Sequence, residues 1–169
     1  SKKHNRVKFI LLYLPKIKIM KNILIAFTLV LFTACSSKDA SKDFTVENDL
    51  DIQTYIAENN LTAQKSSSGL YYVIDTPGTG TQPTTTDNVT VAYKGYFSDG
   101  TVFDQSNANG ISFSLQQVIA GWTEGITYFK EGGSGILLIP SSLGYGNKGR
   151  SSIPGGAVLI FDIALISVN

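Results

Sequence analysis

A chain of 169 residues, 43% hydrophobic and 16% charged, holds one globular domain with appendages or at most two small ones, and is too apolar to be disordered. Its one Cys excludes an internal disulfide and a multi-Cys zinc site, and its one His, His4, leaves little for histidine-based acid–base or metal chemistry. The net charge of +1 hides an asymmetry: seven of 14 basic residues precede Cys35 and all 13 acidic residues follow it, so the body of the chain has no electrostatic footprint for a nucleic acid.

The N-terminal segment reads as an address. Met20 and Lys21 lead into the apolar run Ile23–Phe32, which is followed by Thr33, Ala34 and Cys35. A basic start, an apolar core of about ten residues and a small-residue site are the parts of a secretory signal. The run falls short of the roughly 20 apolar residues of a comfortable membrane span. Leu31-Phe32-Thr33-Ala34-Cys35 resembles a bacterial lipobox. That resemblance implies diacylglycerol on the Cys35 sulfur, cleavage before Cys35 and N-acylation, several chains giving stable anchoring where one is marginal. An uncleaved signal anchor with an incidental Cys is the alternative. Residues 1–19 read as an upstream extension, or else as a longer basic region of the signal. Segment 1–34 is therefore set apart from the fold, and 35–48 reads as an acylated Cys with a polar tether lacking apolar periodicity.

Leu50, Ile52, Tyr55 and Ile56 form a helical stripe, which predicts a short accessory helix over Asp49–Asn60 within a segment 49–66. Asp49 or Asp51 would cap it and Asn59-Asn60 would end it. The domain proper is expected over 67–169. Sixteen Gly, eight Tyr and nine Phe suit strands with tight turns. Strands are predicted over 70–74, 88–97, 101–104, 111–115, 135–139 and 157–168, with Asp99-Gly100 as a hairpin turn. One short helix is predicted over 118–126 and a Gly- and Ser-rich loop over 143–156. The fold class is α+β: an antiparallel sheet wrapped around one short helix, preceded by the accessory helix.

Four blocks in this order resemble the FKBP-type peptidyl-prolyl cis–trans isomerases. They are Val91–Asp104 with its Phe103-Asp104 pair, Val118-Ile119-Ala120-Gly121-Trp122, Leu138–Gly146 with its Tyr145-Gly146 ending, and Ile153-Pro154 followed by Leu159–Asp162. Each block alone is a weak signal. In order and at similar spacing, within a match that covers Gly69–Val168, they form a strong one.

The resemblance implies a pocket lined by Tyr93, Phe103, Val118, Ile119, Trp122 and Phe161, with Trp122 as its floor. The Ile119 N–H and the Tyr145 hydroxyl would each hold a substrate carbonyl. Asp104 would bond to Tyr93, and Ile153 would sit on a flap. Ile111 takes the position of a wall aromatic, with Phe113 two residues on. From pattern alone, the four large aromatics read first as a plain core, Asp104 as a turn residue, and Tyr145 suits an ordinary surface position; the joint resemblance turns these readings toward the pocket. The chemistry needs only to stabilise a twisted X–Pro amide, whose uncatalysed barrier is roughly 18–20 kcal/mol. It requires no nucleophile, metal or cofactor, and none is expected. The expected partners are proline-containing, exported or unfolded polypeptides, together with a membrane held through Cys35. The expected location is the cell envelope, at the periplasmic or surface face of an outer membrane. A proline-binding chaperone with little turnover and a structural envelope lipoprotein are the alternatives. The Arg150-Ser151-Ser152 flap and the short 113–118 stretch depart from many relatives and bear on substrate preference.

Overall fold

The computed structural model describes residues 42–169, so the expectations for the signal segment, Cys35 and residues 36–41 lie outside the described residues. Helix α1 spans Thr45–Glu58, four residues earlier than the stripe predicts. Neither Asp49 nor Asp51 caps it: the N-cap is Phe44, which makes no side-chain cap bond, and Asp43 just before it accepts the Thr45 N–H at 2.9 Å and the Thr45 hydroxyl at 2.7 Å. Residues 45–48 are thus helix and not tether. The end falls as expected: Asn59 Nδ2 donates to the Tyr55 carbonyl at 2.9 Å, and Asn60 turns to φ 52°.

The strands are β1 (Gln64–Lys65), β2 (Tyr71–Thr76), β3 (Asn88–Tyr96), β4 (Val102–Gln105), β5 (Ile111–Ser114), β6 (Ser134–Ile139) and β7 (Leu159–Val168). They form one antiparallel sheet in the order β1-β2-β6-β7-β3-β4, with β5 also paired to β3. Strand β3 organises the site. Its first half pairs with β5 (Val89 opposite Phe113) and its second half with β4 (Gly95 opposite Asp104), while β7 runs along its other edge (Gly95 opposite Phe161).

Leu137 and Leu138 are both fully buried, as are Leu159 and Ile160, although neighbours in a strand point to opposite faces. The sheet is therefore covered on both sides. Leu137, Leu159 and Phe161 belong to the main core with Trp122 and Phe129, whereas Leu138 and Ile160 pack with Tyr71, Val158 and Ile52 of α1. The continuous apolar runs of β6 and β7 are the sequence trace of this double burial. Polar contacts fix α1 in place: the Tyr55 hydroxyl donates to Tyr96 Oη at 3.3 Å, and the Tyr96 hydroxyl donates to Asp162 Oδ1 at 2.8 Å.

The second helix, α2, is shorter than predicted. It covers Ala120–Gly125 and continues as a 3-10 turn over Ile126–Tyr128. Val118 and Ile119 are not helical; Ile119 is extended, at φ −63° and ψ 150°. Gly121 and Gly125 let α2 lie directly on β6, since a Cβ at either would meet Ile139 or Leu137 side-chain atoms at 2.5–2.7 Å. Among the described residues, no helix is long and apolar enough to cross a membrane.

Candidate active site

The concave face of the sheet and the N-terminal end of α2 enclose a cleft of about 540 Å³ that opens to solvent. Trp122, only 4% exposed, forms its base. Tyr93, Phe113 and Phe161 meet the indole nearly edge-on, with centroids at 5.1, 5.4 and 5.3 Å. Phe103 stands at 86° to Phe161 at 5.5 Å and packs on Phe97 at 5.0 Å. Such tilted and edge-to-face contacts suit the quadrupoles of the rings and hold each at a fixed angle. Each ring comes from a different element: Tyr93 from β3, Phe103 from β4, Phe113 from β5, Trp122 from α2 and Phe161 from β7. A core plug would be sealed on every side. These rings share an opening.

The polar groups are few. The Tyr93 hydroxyl donates to Asp104 Oδ2 at 2.7 Å, and the Tyr93 N–H donates to Ser106 Oγ at 2.9 Å. Burial, then the hydrogen bond to Asp104 and its charge, hold the Tyr93 phenol well above the ordinary tyrosine range. Burial, then its bonds with Tyr55 and Asp162, do the same to Tyr96. Above about pH 10 the unfolded chain releases these phenolic protons while the folded chain keeps them, so stability falls as pH rises. A denaturant midpoint lower at pH 11 than at pH 9 is expected. The drop should shrink in Tyr96→Phe, and an unchanged drop in that variant contradicts the assignment.

Val118, Ile119, Tyr145 and Ile153 also line the cleft. Ile119 is the residue before α2, and its carbonyl accepts the Trp122 N–H at 2.9 Å. Tyr145 follows a 3-10 turn over Ser141–Leu143. Its position is fixed by Gly146, whose N–H donates to the Ser141 carbonyl at 2.7 Å and whose carbonyl accepts the Gly156 N–H at 2.9 Å. Ile153 sits opposite Arg150 in a small hairpin over the mouth.

Ile111 is the exception among the expected residues. It lies on the same strand face as Phe113, but roughly 6–7 Å farther along β5. It is 43% exposed and does not line the cleft. Phe113 alone supplies the wall from this strand. Arg150, Ser151 and Ser152, the flap expected to bear on substrate preference, complete the rim together with Gln117, which no expectation names. A polar residue in a loop carries no periodicity, so nothing in the sequence marks Gln117.

Gly95 shows how tightly the wall is built. A Cβ there would lie 2.7–2.8 Å from Phe103 and Phe161 ring atoms. Gly95→Ala is expected to displace both rings and destabilise the chain by about 1–3 kcal/mol. A thermal melt checks this. Wild-type melting in the variant contradicts it.

The sequence profile of the FKBP-type peptidyl-prolyl cis–trans isomerase family matches residues 79–166. The chain is 49% identical over 107 residues to a probable FKBP-type isomerase, FkpA, of Neisseria meningitidis serogroup B, covering 62% of this chain and 39% of that protein. It is 42% identical over 134 residues to FkpA of Aeromonas hydrophila, covering 77% and 50%. The chain thus spans half or less of the length of these curated relatives. Among solved structures, FkpA from Escherichia coli superposes with a TM-score of 0.67 at 33% identity, over 89% of this chain and 71% of that one. A peptidyl-prolyl cis–trans isomerase from Pseudomonas syringae gives 0.64 at 33% identity, over 74% and 96%. The profile covers more than half of the chain, including β3 to β6, α2 and the loops that build the cleft, and the chain belongs to the FKBP-type peptidyl-prolyl cis–trans isomerase family.

Proposed function

We propose that this protein accelerates cis–trans isomerisation of X–Pro bonds in exported polypeptides and is tethered to the cell envelope through a lipid on Cys35. The observation that carries the reading is the solvent-open box of Tyr93, Phe103, Trp122 and Phe161 around one cleft. The planar amide is polar by resonance, and the twisted amide has lost that resonance. An apolar box therefore destabilises the planar form relative to the twisted one, and contacts with the flanking residues hold the twist. Trp122 seats the proline ring. The Ile119 N–H and the Tyr145 hydroxyl hold substrate carbonyls, with the Asp104–Tyr93 bond fixing the wall between them. No covalent bond to substrate is made or broken. Lowering the barrier by about 4 kcal/mol gives roughly a thousandfold acceleration.

A protease-coupled assay on a short X–Pro peptide tests the catalytic part. No acceleration by the chain from Ser36 onward would sink it. Labelled fatty acid incorporated into the full chain, and absent from Cys35→Ser, tests the anchor. Equal labelling of both chains would remove it.

A further inference from the structure

We infer that Arg150 gives this isomerase a preference for an acidic residue flanking the substrate proline. The inference rests on the proposed isomerase activity and names the substrate class of that same cleft.

The flap is a two-residue hairpin. Arg150 and Ile153 exchange both backbone hydrogen bonds, each at 2.9 Å, and Ser151 at its tip is held at φ 52°. Paired residues in an antiparallel bridge put their side chains on the same side of the ribbon. Ile153 and Arg150 both line the cleft, one apolar and one cationic. The guanidinium carbon lies 5.8 Å from the centre of the Tyr145 ring, so the aromatic that borders the cleft also supports the cation.

The charge is unanswered among the described residues. The ion pairs among the described residues are Lys42–Glu47 and Lys65–Asp49, both on the α1 side, and Arg150 is in neither. No acidic residue occurs anywhere from 132 to 161, although the chain from Ser36 onward is acidic overall. Exposed Lys148 adds a second positive charge two residues away. The one carboxylate lining the cleft, Asp104, already accepts the Tyr93 hydroxyl. A proline seated against Trp122 leaves its neighbouring side chain under this flap. A carboxylate there finds a planar, permanently charged fork able to bind it through two N–H donors. An ammonium there is repelled.

Arg150 is solvent-exposed, so the effect is that of a surface ion pair: about threefold in kcat/KM for Glu over Gln, and about tenfold for Glu over Lys. The test uses the full chain in mild detergent with two peptide sets, one varied among Glu, Gln and Lys before the proline and one varied after it. The expected result is a Glu-over-Lys preference of about tenfold in one set at low salt. It should shrink at high salt, as screening requires. Arg150→Lys should keep part of the preference, and Arg150→Glu should invert it. Equal rates across both sets overturn the inference while leaving the isomerase reading standing. So does a preference that Arg150→Glu leaves unchanged. If Arg150 merely packs on Tyr145, its replacement changes all peptides by one common factor, which also overturns it. Acceleration of no peptide at all removes both.

Discussion

Replacing Trp122 by leucine is expected to lower kcat/KM on an X–Pro peptide about 30-fold while the chain stays folded. Leucine keeps the base of the cleft apolar but removes the flat face against which a proline ring lies. The lost contact is about 2 kcal/mol for an aromatic of this size, and each 1.36 kcal/mol is tenfold in rate. If the box acts on the twisted amide, the loss falls mainly on kcat; if it only binds substrate, KM rises instead. The stability cost should be smaller than the burial suggests. Trp122 Nε1 is buried with no hydrogen-bond partner among the described residues. A buried donor left unmade costs roughly 1–3 kcal/mol, and leucine removes that penalty along with the indole. An indole with an orphaned N–H is a poor choice for a simple core plug, which points to a role at the cleft. Steady-state kinetics beside a thermal melt check both halves. Wild-type kinetics in the variant, or an unfolded chain at room temperature, would contradict the expectation.

The parts of this molecule legible in its sequence are those whose signal is local. Asn88–Tyr96 alternates because one side of β3 faces the core, and the Asp99-Gly100 turn returns the chain into β4, so both elements fall within a residue or two of expectation. The aromatic box was legible only jointly. Tyr93, Phe103, Trp122 and Phe161 each suit an ordinary core, and only four motif blocks in the family's order bring them to one cleft. The start of α1 failed because the buried residue of its first turn is the polar Asn48, which hydropathy does not weigh. Ile111 failed because its strand face is right but it stands at the exposed first position of β5, two residues from Phe113, beyond the reach of the cleft. Val118 and Ile119 have helix-like spacing with Trp122. Yet Ile119 stays extended, its carbonyl taken by the first-turn N–H groups of Trp122 and Thr123. The role of α1 itself was invisible for a further reason. The residue that matters most in it is polar, and its partners lie far away in the chain.

That residue is Asn48, read from sequence as part of a tether and in the fold only 1% exposed. Its Oδ1 accepts the Ser141 N–H at 2.7 Å, and its Nδ2 donates to the Gly156 carbonyl at 2.8 Å. One amide thus bridges both ends of the loop that carries Tyr145, Arg150 and Ile153. Asn48→Ala leaves the buried Ser141 N–H and the part-buried Gly156 carbonyl without this partner; an unmade buried bond costs roughly 1–3 kcal/mol and a part-buried one less, so a destabilisation of about 2–3 kcal/mol is expected. That is a large share of the 5–15 kcal/mol that holds a domain folded. Asn48→Asp separates the two bonds. It keeps an acceptor for Ser141 but turns a carboxylate toward the Gly156 carbonyl, so it should be no more stable than the alanine variant. The effect should also reach the cleft. With the clamp gone, hydrogen exchange over 141–156 should rise more than in β3 or β7, and kcat/KM should fall several-fold as Tyr145 loses its fixed position. Such a pattern would mean that α1 acts on catalysis through the loop it anchors, without touching substrate. An Asn48→Ala chain with wild-type stability and wild-type exchange over this loop would reduce α1 to a cover for Leu138 and Ile160.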